Sequence, residues 1–129
     1  MNMTTTRYTR LVGPVLMVLG IIGLTQTASN SAVASIAAID VNLTHIAVLL
    51  VAGLIATIAG YFGALSTRTS ALLLGTVFMV MGVLGIIAGP GTIAFGIAVN
   101  TPGSVFHIVV GVLGLLAWRT GDEIAQSAA

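Results

Sequence analysis

The stretch LVGPVLMVLGIIG (residues 11–23) recurs as LLGTVFMVMGVLG (residues 73–85), 62 positions further along the chain. The same offset relates His45 to His107, the only two histidines present. A constant offset between separated apolar runs indicates an internal duplication. We therefore predict one transmembrane domain over residues 1–129, with a first repeat over about 8–69 and a second over about 70–120.

The composition is typical of a protein that lies in lipid. Of 129 residues, 57% are hydrophobic and 5% are charged, whereas soluble domains carry about 25% charged residues. Four apolar segments stand out, at residues 8–26, 43–64, 70–89 and 102–119. Each approaches the roughly 20 helical residues that cross a bilayer core, where a helix satisfies its own backbone hydrogen bonds. The predicted fold class is an all-α membrane protein with four transmembrane helices.

Several function classes are excluded by what the sequence lacks. It contains no cysteine and no run of basic residues, which excludes disulfides, thiolate metal sites and a basic patch for nucleic acid. No nucleophile elbow, metalloprotease motif, phosphate-binding loop or dinucleotide fingerprint is present. Few ionisable groups remain for acid–base catalysis. We predict that the protein is not an enzyme and does not bind nucleic acid.

A competing interpretation of the first apolar run is a cleavable secretory signal that ends at Ala32-Val33-Ala34. Such a signal places its small-residue cleavage site directly after the apolar core. Here the triplet lies well past that core, and the repeat needs the first helix as the partner of the third. We therefore predict that the first helix is retained.

The charges predict the orientation. All four arginines fall at one end of a four-helix zigzag, and so do three amphipathic aromatic residues. The positive-inside rule places that end in the cytoplasm of a bacterial inner membrane, together with both termini. The residues are Arg7, Arg10, Arg68 and Arg119, with Tyr8, Tyr61 and Trp118 at the same boundary.

Two longer connections, residues 27–42 and 90–101, are predicted on the outer side. The first is expected to be a loop with a short interfacial helical turn. The second is too apolar for water, so we expect it at the membrane interface or against a neighbouring subunit. Thr101-Pro102 is typical of an N-cap followed by proline in the first turn, which predicts the start of the fourth helix.

Small residues recur at spacings that place them on one helical face. In lipid, close backbone approach through such residues supplies helix association. We predict that they pack the helices within the chain, as two parallel hairpins related by a pseudo-twofold axis along the membrane normal; the alternative is a groove for another subunit. The set is Gly13, Gly20, Gly23, Ala52, Ala56, Gly60, Gly75, Gly82, Gly85, Gly111 and Gly114.

His45 and His107 are the candidate site residues, because ionisable groups inside transmembrane helices are uncommon and often functional. One hypothesis is bis-histidine ligation of haem b or a shared metal ion, and another is a pH-sensing role. The favoured hypothesis is structural, with neutral rings bonded to loop carbonyls, to Asn42 or Asn100, or to the partner helix. Counting to Tyr61 and Trp118 places the two histidines at depths that differ by about 7 Å, which argues against a facing pair. Asp40 is the one acid that could orient His45.

Two short phrases are related between the repeats. Val41-Asn42 in Val41-Asn42-Leu43-Thr44-His45 recurs 58 residues later as Val99-Asn100, whereas His45 recurs 62 residues later as His107. With the Gly-rich helices around them, they resemble an uncharacterised family of small bacterial membrane proteins, common in actinobacteria, built as four helices around a domain of unknown function. The resemblance covers most of residues 8–119. It implies a four-helix fold and no established activity.

The favoured functional hypothesis is an accessory or structural subunit without a cofactor. It would lie in the lipid bilayer and pack against other membrane protein subunits or against itself as a homo-oligomer. The alternatives are a haem- or metal-binding membrane protein that uses His45 and His107, and a lipid- or quinone-binding module.

Overall fold

Four long helices make up most of the molecule. The computed structural model describes residues 4–27 and 33–128, with side chains up to residue 121; residues 28–32 of the first outer connection and the side chains of Asp122 and Glu123 lie outside the described part. The helices are α1 (Thr5–Thr27), α2 (Leu43–Thr57), α3 (Thr67–Ala88) and α4 (Thr101–Ala128), and α2 continues as one π-helical turn over Ile58–Phe62. Four spans are long and apolar enough to cross a membrane, which confirms the prediction of four long apolar helices; they are Thr5–Thr27, Leu43–Phe62, Thr67–Ala88 and Thr101–Gly121.

Over the described residues 33–42, the first of the two longer connections forms an antiparallel hairpin and contains no helical turn, so the predicted turn is absent from this part of the connection. Strand β1 (Ala34–Ile36) pairs with β2 (Ile39–Val41). The turn residues Ala37 and Ala38 have φ of 49° and 69°, the left-handed pair that a two-residue hairpin turn requires. Asparagine or glycine normally marks such a turn, and the absence of both hid the hairpin in the sequence.

The second of the two longer connections is also a hairpin. Strand β3 (Gly91–Ile93) pairs with β4 (Ile97–Val99) across a short 3-10 turn. All three residues of β4 are buried within the protein, which accounts for their apolar character without a neighbouring subunit. Phe95, at the tip of the hairpin, is 92% exposed.

The glycines lie where helices approach most closely. A Cβ on Gly13 would meet the backbone of Thr57, so α1 rests directly on α2 at this point. A Cβ on Gly75 would come within 2.8 Å of the Leu115 nitrogen, so α3 rests on α4 in the same way. The other predicted glycines also lie against another helix of the chain, and Gly60 does so from within the π-helical turn: Gly20, Gly23, Gly60, Gly82, Gly85, Gly111 and Gly114. Gly53, which the sequence pattern did not single out, lies against Met17.

The seams between the two helical pairs differ. Between α1 and α4, the Tyr8 ring is fully buried and its hydroxyl donates a hydrogen bond to the Val110 carbonyl at 3.1 Å. Tyr8, predicted with Tyr61 and Trp118 at the membrane boundary, therefore directs its hydroxyl into the bundle and not to water, because a carbonyl of α4 accepts its hydrogen. Between α2 and α3 the residue at the same offset is Ser70, and an apolar groove remains open there.

At the end of the bundle that carries the arginines, side chains tie neighbouring helices together. Arg10 donates to the Gly60 carbonyl at 2.7 Å and lies over the Tyr61 ring, 5.6 Å from its centroid. Arg68 lies over the Trp118 ring at 5.7 Å. The hydroxyls of Thr5 and Thr67, 62 residues apart, are 3.0 Å from each other.

Candidate functional site

His45 and His107 meet inside the bundle. Their Nε2 atoms are 3.0 Å apart, their rings are tilted by 61°, and both side chains are fully buried. The expectation that they lie at different depths is therefore wrong. Tyr61 and Trp118 are not equivalent depth markers, since Tyr61 lies in the π-helical turn that ends α2 whereas Trp118 lies within α4.

The hydrogen bonds assign a tautomer to each ring. His45 Nδ1 is 3.1 Å from the backbone carbonyl oxygen of Asp40, and a carbonyl only accepts, so this nitrogen carries the hydrogen. In a neutral imidazole the other nitrogen then has the lone pair, so His45 Nε2 accepts and His107 Nε2 donates. Asp40 thus orients His45 through its main chain, whereas the sequence suggested its carboxylate.

This assignment leaves His107 Nδ1 as a buried acceptor with no hydrogen-bond partner in the part of the chain that the structure describes. The hydroxyl of Ser104, three residues earlier in α4, is buried and unpartnered as well. A spacing of three residues puts both side chains on one face of a helix. Unpaired buried polar atoms cost free energy, and two of the three such side-chain atoms among the described residues lie here; the third is Thr57 Oγ1, between α1 and α2.

Two asparagines cap the N-terminal ends of α2 and α4, close to the histidines. Asn42 is the N-cap of α2, and its Oδ1 accepts from the His45 backbone at 3.0 Å. The same side chain reaches the second hairpin, where it donates to the Gly96 carbonyl at 2.7 Å and accepts from the Ala98 backbone at 3.3 Å. One residue therefore caps its own helix and clamps the hairpin of the other repeat.

Asn100 makes the reciprocal set of bonds. Its Oδ1 accepts from the Gly103 backbone at 3.0 Å, so it is the residue that caps α4, and the prediction of Thr101 as N-cap is wrong. It donates to the Ala38 carbonyl at 2.7 Å and accepts from the Asp40 backbone at 3.3 Å in the first hairpin. The repeated Val-Asn phrase was the signal for this pair, and its capping role follows from the amide oxygen.

The surroundings of the two imidazoles are apolar and tight. The Phe78 and Phe106 rings lie 5.4 Å and 5.9 Å from the His107 ring. A cavity of about 10 Å³ borders both histidines, which is the volume of a single water at most. No group of three or more metal-binding side chains occurs among the described residues.

This geometry constrains the cofactor hypotheses. Two imidazole nitrogens on opposite sides of a metal ion stand about 4 Å apart, whereas these two are 3.0 Å apart. A porphyrin would also need a slot between the rings, and the neighbouring cavity cannot supply one. Haem b would therefore require α2 and α4 to separate, while a bare ion requires only a small opening.

A second candidate site is the groove between α2 and α3. Three adjoining cavities of about 390, 380 and 420 Å³ lie along this seam. The first two share Val48 and Val77, and the first and third share Ile55 and Leu73, so they form one continuous groove. Ala52 lines it, while Ala56 is fully buried.

Comparison with known proteins adds no further assignment. No family model, curated protein or solved structure matches the chain. The resemblance to small actinobacterial four-helix proteins stays a prediction, and the function is inferred from the geometry of the two sites.

Proposed function

We propose that the protein is a non-enzymatic accessory or structural subunit of a bacterial cytoplasmic membrane complex. It docks through the α2–α3 groove against an apolar transmembrane helix of a larger membrane protein. The observation that carries the proposal is the difference between the two seams: Tyr8 fills the seam between α1 and α4, whereas the seam between α2 and α3 stays open.

The shape of the groove suits a helix. It extends along α3 from Thr69 to Leu84, about 22 Å at 1.5 Å per residue, which is most of the apolar thickness of a bilayer. The side chains that line the cavities of about 390 and 380 Å³ are almost all aliphatic. Helices associate in lipid through close packing of complementary surfaces, and a groove between two ridges accepts the ridge of a third helix.

Phe95 supports the same assignment. It forms the outer rim of the groove and has a φ of 62°, a left-handed conformation that is unfavourable for a bulky side chain. Strained residues persist where function uses them. The fold makes little use of this ring, which is 92% exposed, so the proposed contact with a partner gives it a role.

The proposed arrangement comprises two parallel hairpins related by a pseudo-twofold axis along the membrane normal. It is supported by two matched pairs 62 residues apart, Thr5 with Thr67 and His45 with His107. The arginine–aromatic contacts at one end of the bundle support cytoplasmic termini, because positive residues are retained on that side.

The test is purification in mild detergent of the full chain and of two tryptophan variants. Val77→Trp fills the groove, whereas Val18→Trp places the same ring on the exposed face of α1. We expect a stoichiometric membrane partner with the natural chain and with Val18→Trp, and its loss with Val77→Trp. A partner that persists in Val77→Trp, or a chain that purifies alone, would contradict the proposal.

The chain has no cysteine, so single-cysteine variants separate a foreign partner from a second copy. A disulfide-linked dimer of Val77→Cys, without one for Val18→Cys, would identify the occupant of the groove as another copy and would overturn the larger complex. Cross-linking of Val77→Cys to a different membrane protein supports the proposal.

A further inference from the structure

We propose that His45 and His107 form a binding site for a single soft monovalent metal ion, for which Cu(I) is the best fit. The two Nε2 atoms already face each other at 3.0 Å in a fully buried position. This inference concerns the interior of the bundle and is independent of the proposed docking groove.

His45 is held as metal-binding histidines are held. Ligating imidazoles donate their second ring N–H to a carbonyl or carboxylate, which fixes the tautomer and aims the other nitrogen at the ion. The Asp40 carbonyl performs this role for His45. The ring therefore presents an Nε2 lone pair to His107 without any rearrangement of its own.

The number and type of ligands select the ion. The site offers two neutral nitrogens, and the described residues contain no group of three candidate ligands. Zinc prefers four ligands in a tetrahedron, and calcium and magnesium require oxygen ligands. Imidazole suits copper, and the d¹⁰ Cu(I) ion is stable with two nitrogens in line.

The required movement is small. A metal–imidazole bond of about 2.0 Å places the two nitrogens about 4 Å apart, so the rings must separate by roughly 1 Å from their hydrogen-bonded position. A cavity of about 10 Å³ borders both rings. It gives the imidazoles space to tilt without parting the helices, and it holds one water at most beside the ion.

Proton balance is met within the site. When the ion binds, the hydrogen on His107 Nε2 moves to Nδ1 of the same ring, so the histidines remain neutral and no proton is released. Ser104, three residues earlier in α4, has a buried hydroxyl without a partner among the described residues. A hydroxyl accepts from an N–H as readily as it donates to a lone pair, so Ser104 can pair with Nδ1 in either form once the tilt of the His107 ring brings the two atoms into reach.

One charge also accompanies the ion into a largely apolar bundle. Asp40 is the only acidic residue outside the C-terminal tail, and it belongs to the strand whose carbonyl holds His45. Its carboxylate is therefore the nearest acid in the sequence to the bound monovalent cation. A divalent ion would lack a second balancing charge.

The experiment titrates the purified full chain in detergent with Cu(I) under anaerobic conditions, in competition with a chromophoric Cu(I) chelator. We expect one tightly held ion per chain, and X-ray absorption with two nitrogen neighbours in a linear arrangement. His45→Gln and His107→Gln, which keep a polar side chain of similar length, should abolish the tight site. Ser104→Ala should weaken binding by about 10- to 100-fold, as loss of an orienting partner does.

Thioether binding is controlled with Met81→Leu, because methionine also binds Cu(I); this variant should retain the ion. A natural chain that yields its copper fully to the chelator would overturn the proposal, and so would undiminished binding by either glutamine variant. A Soret band in the purified protein would also overturn it, in favour of haem. Val77→Trp changes the α2–α3 groove and not the histidine site, so copper binding should be the same in this variant. The docking proposal and the copper proposal can therefore fail independently of each other.

Discussion

The hydroxyl of Tyr8 donates a hydrogen bond to the Val110 carbonyl, 102 residues further along the chain. This contact joins the first helix to the last in a fully buried position, and the ring packs against Gly114. It closes the seam between α1 and α4. Its contribution to the free energy of unfolding can be measured by removing the hydroxyl oxygen of Tyr8.

We expect Tyr8→Phe to lower the free energy of unfolding by about 1 kcal/mol, because the Val110 carbonyl loses a buried hydrogen-bond donor while the ring stays in place. Denaturant titration in mixed micelles measures the change. Tyr61→Phe is the matched control, since its hydroxyl bonds to the Arg10 carbonyl at an exposed position. An equal or larger effect at Tyr61 would show that Tyr8 does not hold the seam.

Gly75→Ala should destabilise the bundle by about 1–3 kcal/mol, the usual range for overpacking. The added Cβ would come within 2.8 Å of the Leu115 backbone nitrogen, and a backbone atom cannot turn aside as a side chain can. The same unfolding measurement applies. Val18→Leu, which adds one methylene on the exposed face of α1, should leave stability nearly unchanged.

Asn42→Ala should speed hydrogen exchange at the Ala98 amide, which lies in the hairpin of the other repeat and donates to Asn42. Loss of the helix cap should also cost about 1 kcal/mol. Asn42→Asp is the control, because a carboxylate keeps both accepting bonds and loses only the donation to Gly96. Unchanged exchange at Ala98 in Asn42→Ala would mean that the clamp is not formed in solution.

The reciprocal variant has its own prediction. Asn100→Ala should speed exchange at the Asp40 amide in the first hairpin, since that amide donates to Asn100. Exchange confined to residues near Asn100 itself would show that the asparagine acts only as a cap for α4.

Orientation is testable by labelling with a membrane-impermeant maleimide, since the chain is free of cysteine. Thr92→Cys, exposed in the second hairpin, should react from the periplasmic side of intact spheroplasts. Ala64→Cys, exposed in the turn between α2 and α3, should react only after the membrane is opened. The reverse pattern would place the arginine end outside.

The duplication and the lengths of the apolar runs predicted four helices, because helix formation in lipid depends on local hydropathy. Hydropathy did not predict the two hairpins. The turn of the first has no sequence signal, because Ala37 and Ala38 adopt left-handed conformations that alanine seldom takes. The meeting of the histidines was missed for a different reason. Residue counts along separate helices carry no information about their relative stagger. His45 stands sixteen residues before Tyr61 and His107 eleven before Trp118, and this difference does not correspond to a difference in depth.

The contact between His45 and His107 has a consequence for how such a molecule can arise. In a symmetric dimer of one hairpin, two identical imidazoles would face each other, yet a neutral pair needs one donor and one acceptor. Fusion of both copies into one chain lets each ring acquire different neighbours, and here only His45 has the Asp40 carbonyl to hold its hydrogen. In the hydrogen-bonded form, one chain thus fixes His45 as the acceptor and His107 as the donor, whereas two identical subunits would have to exchange these roles.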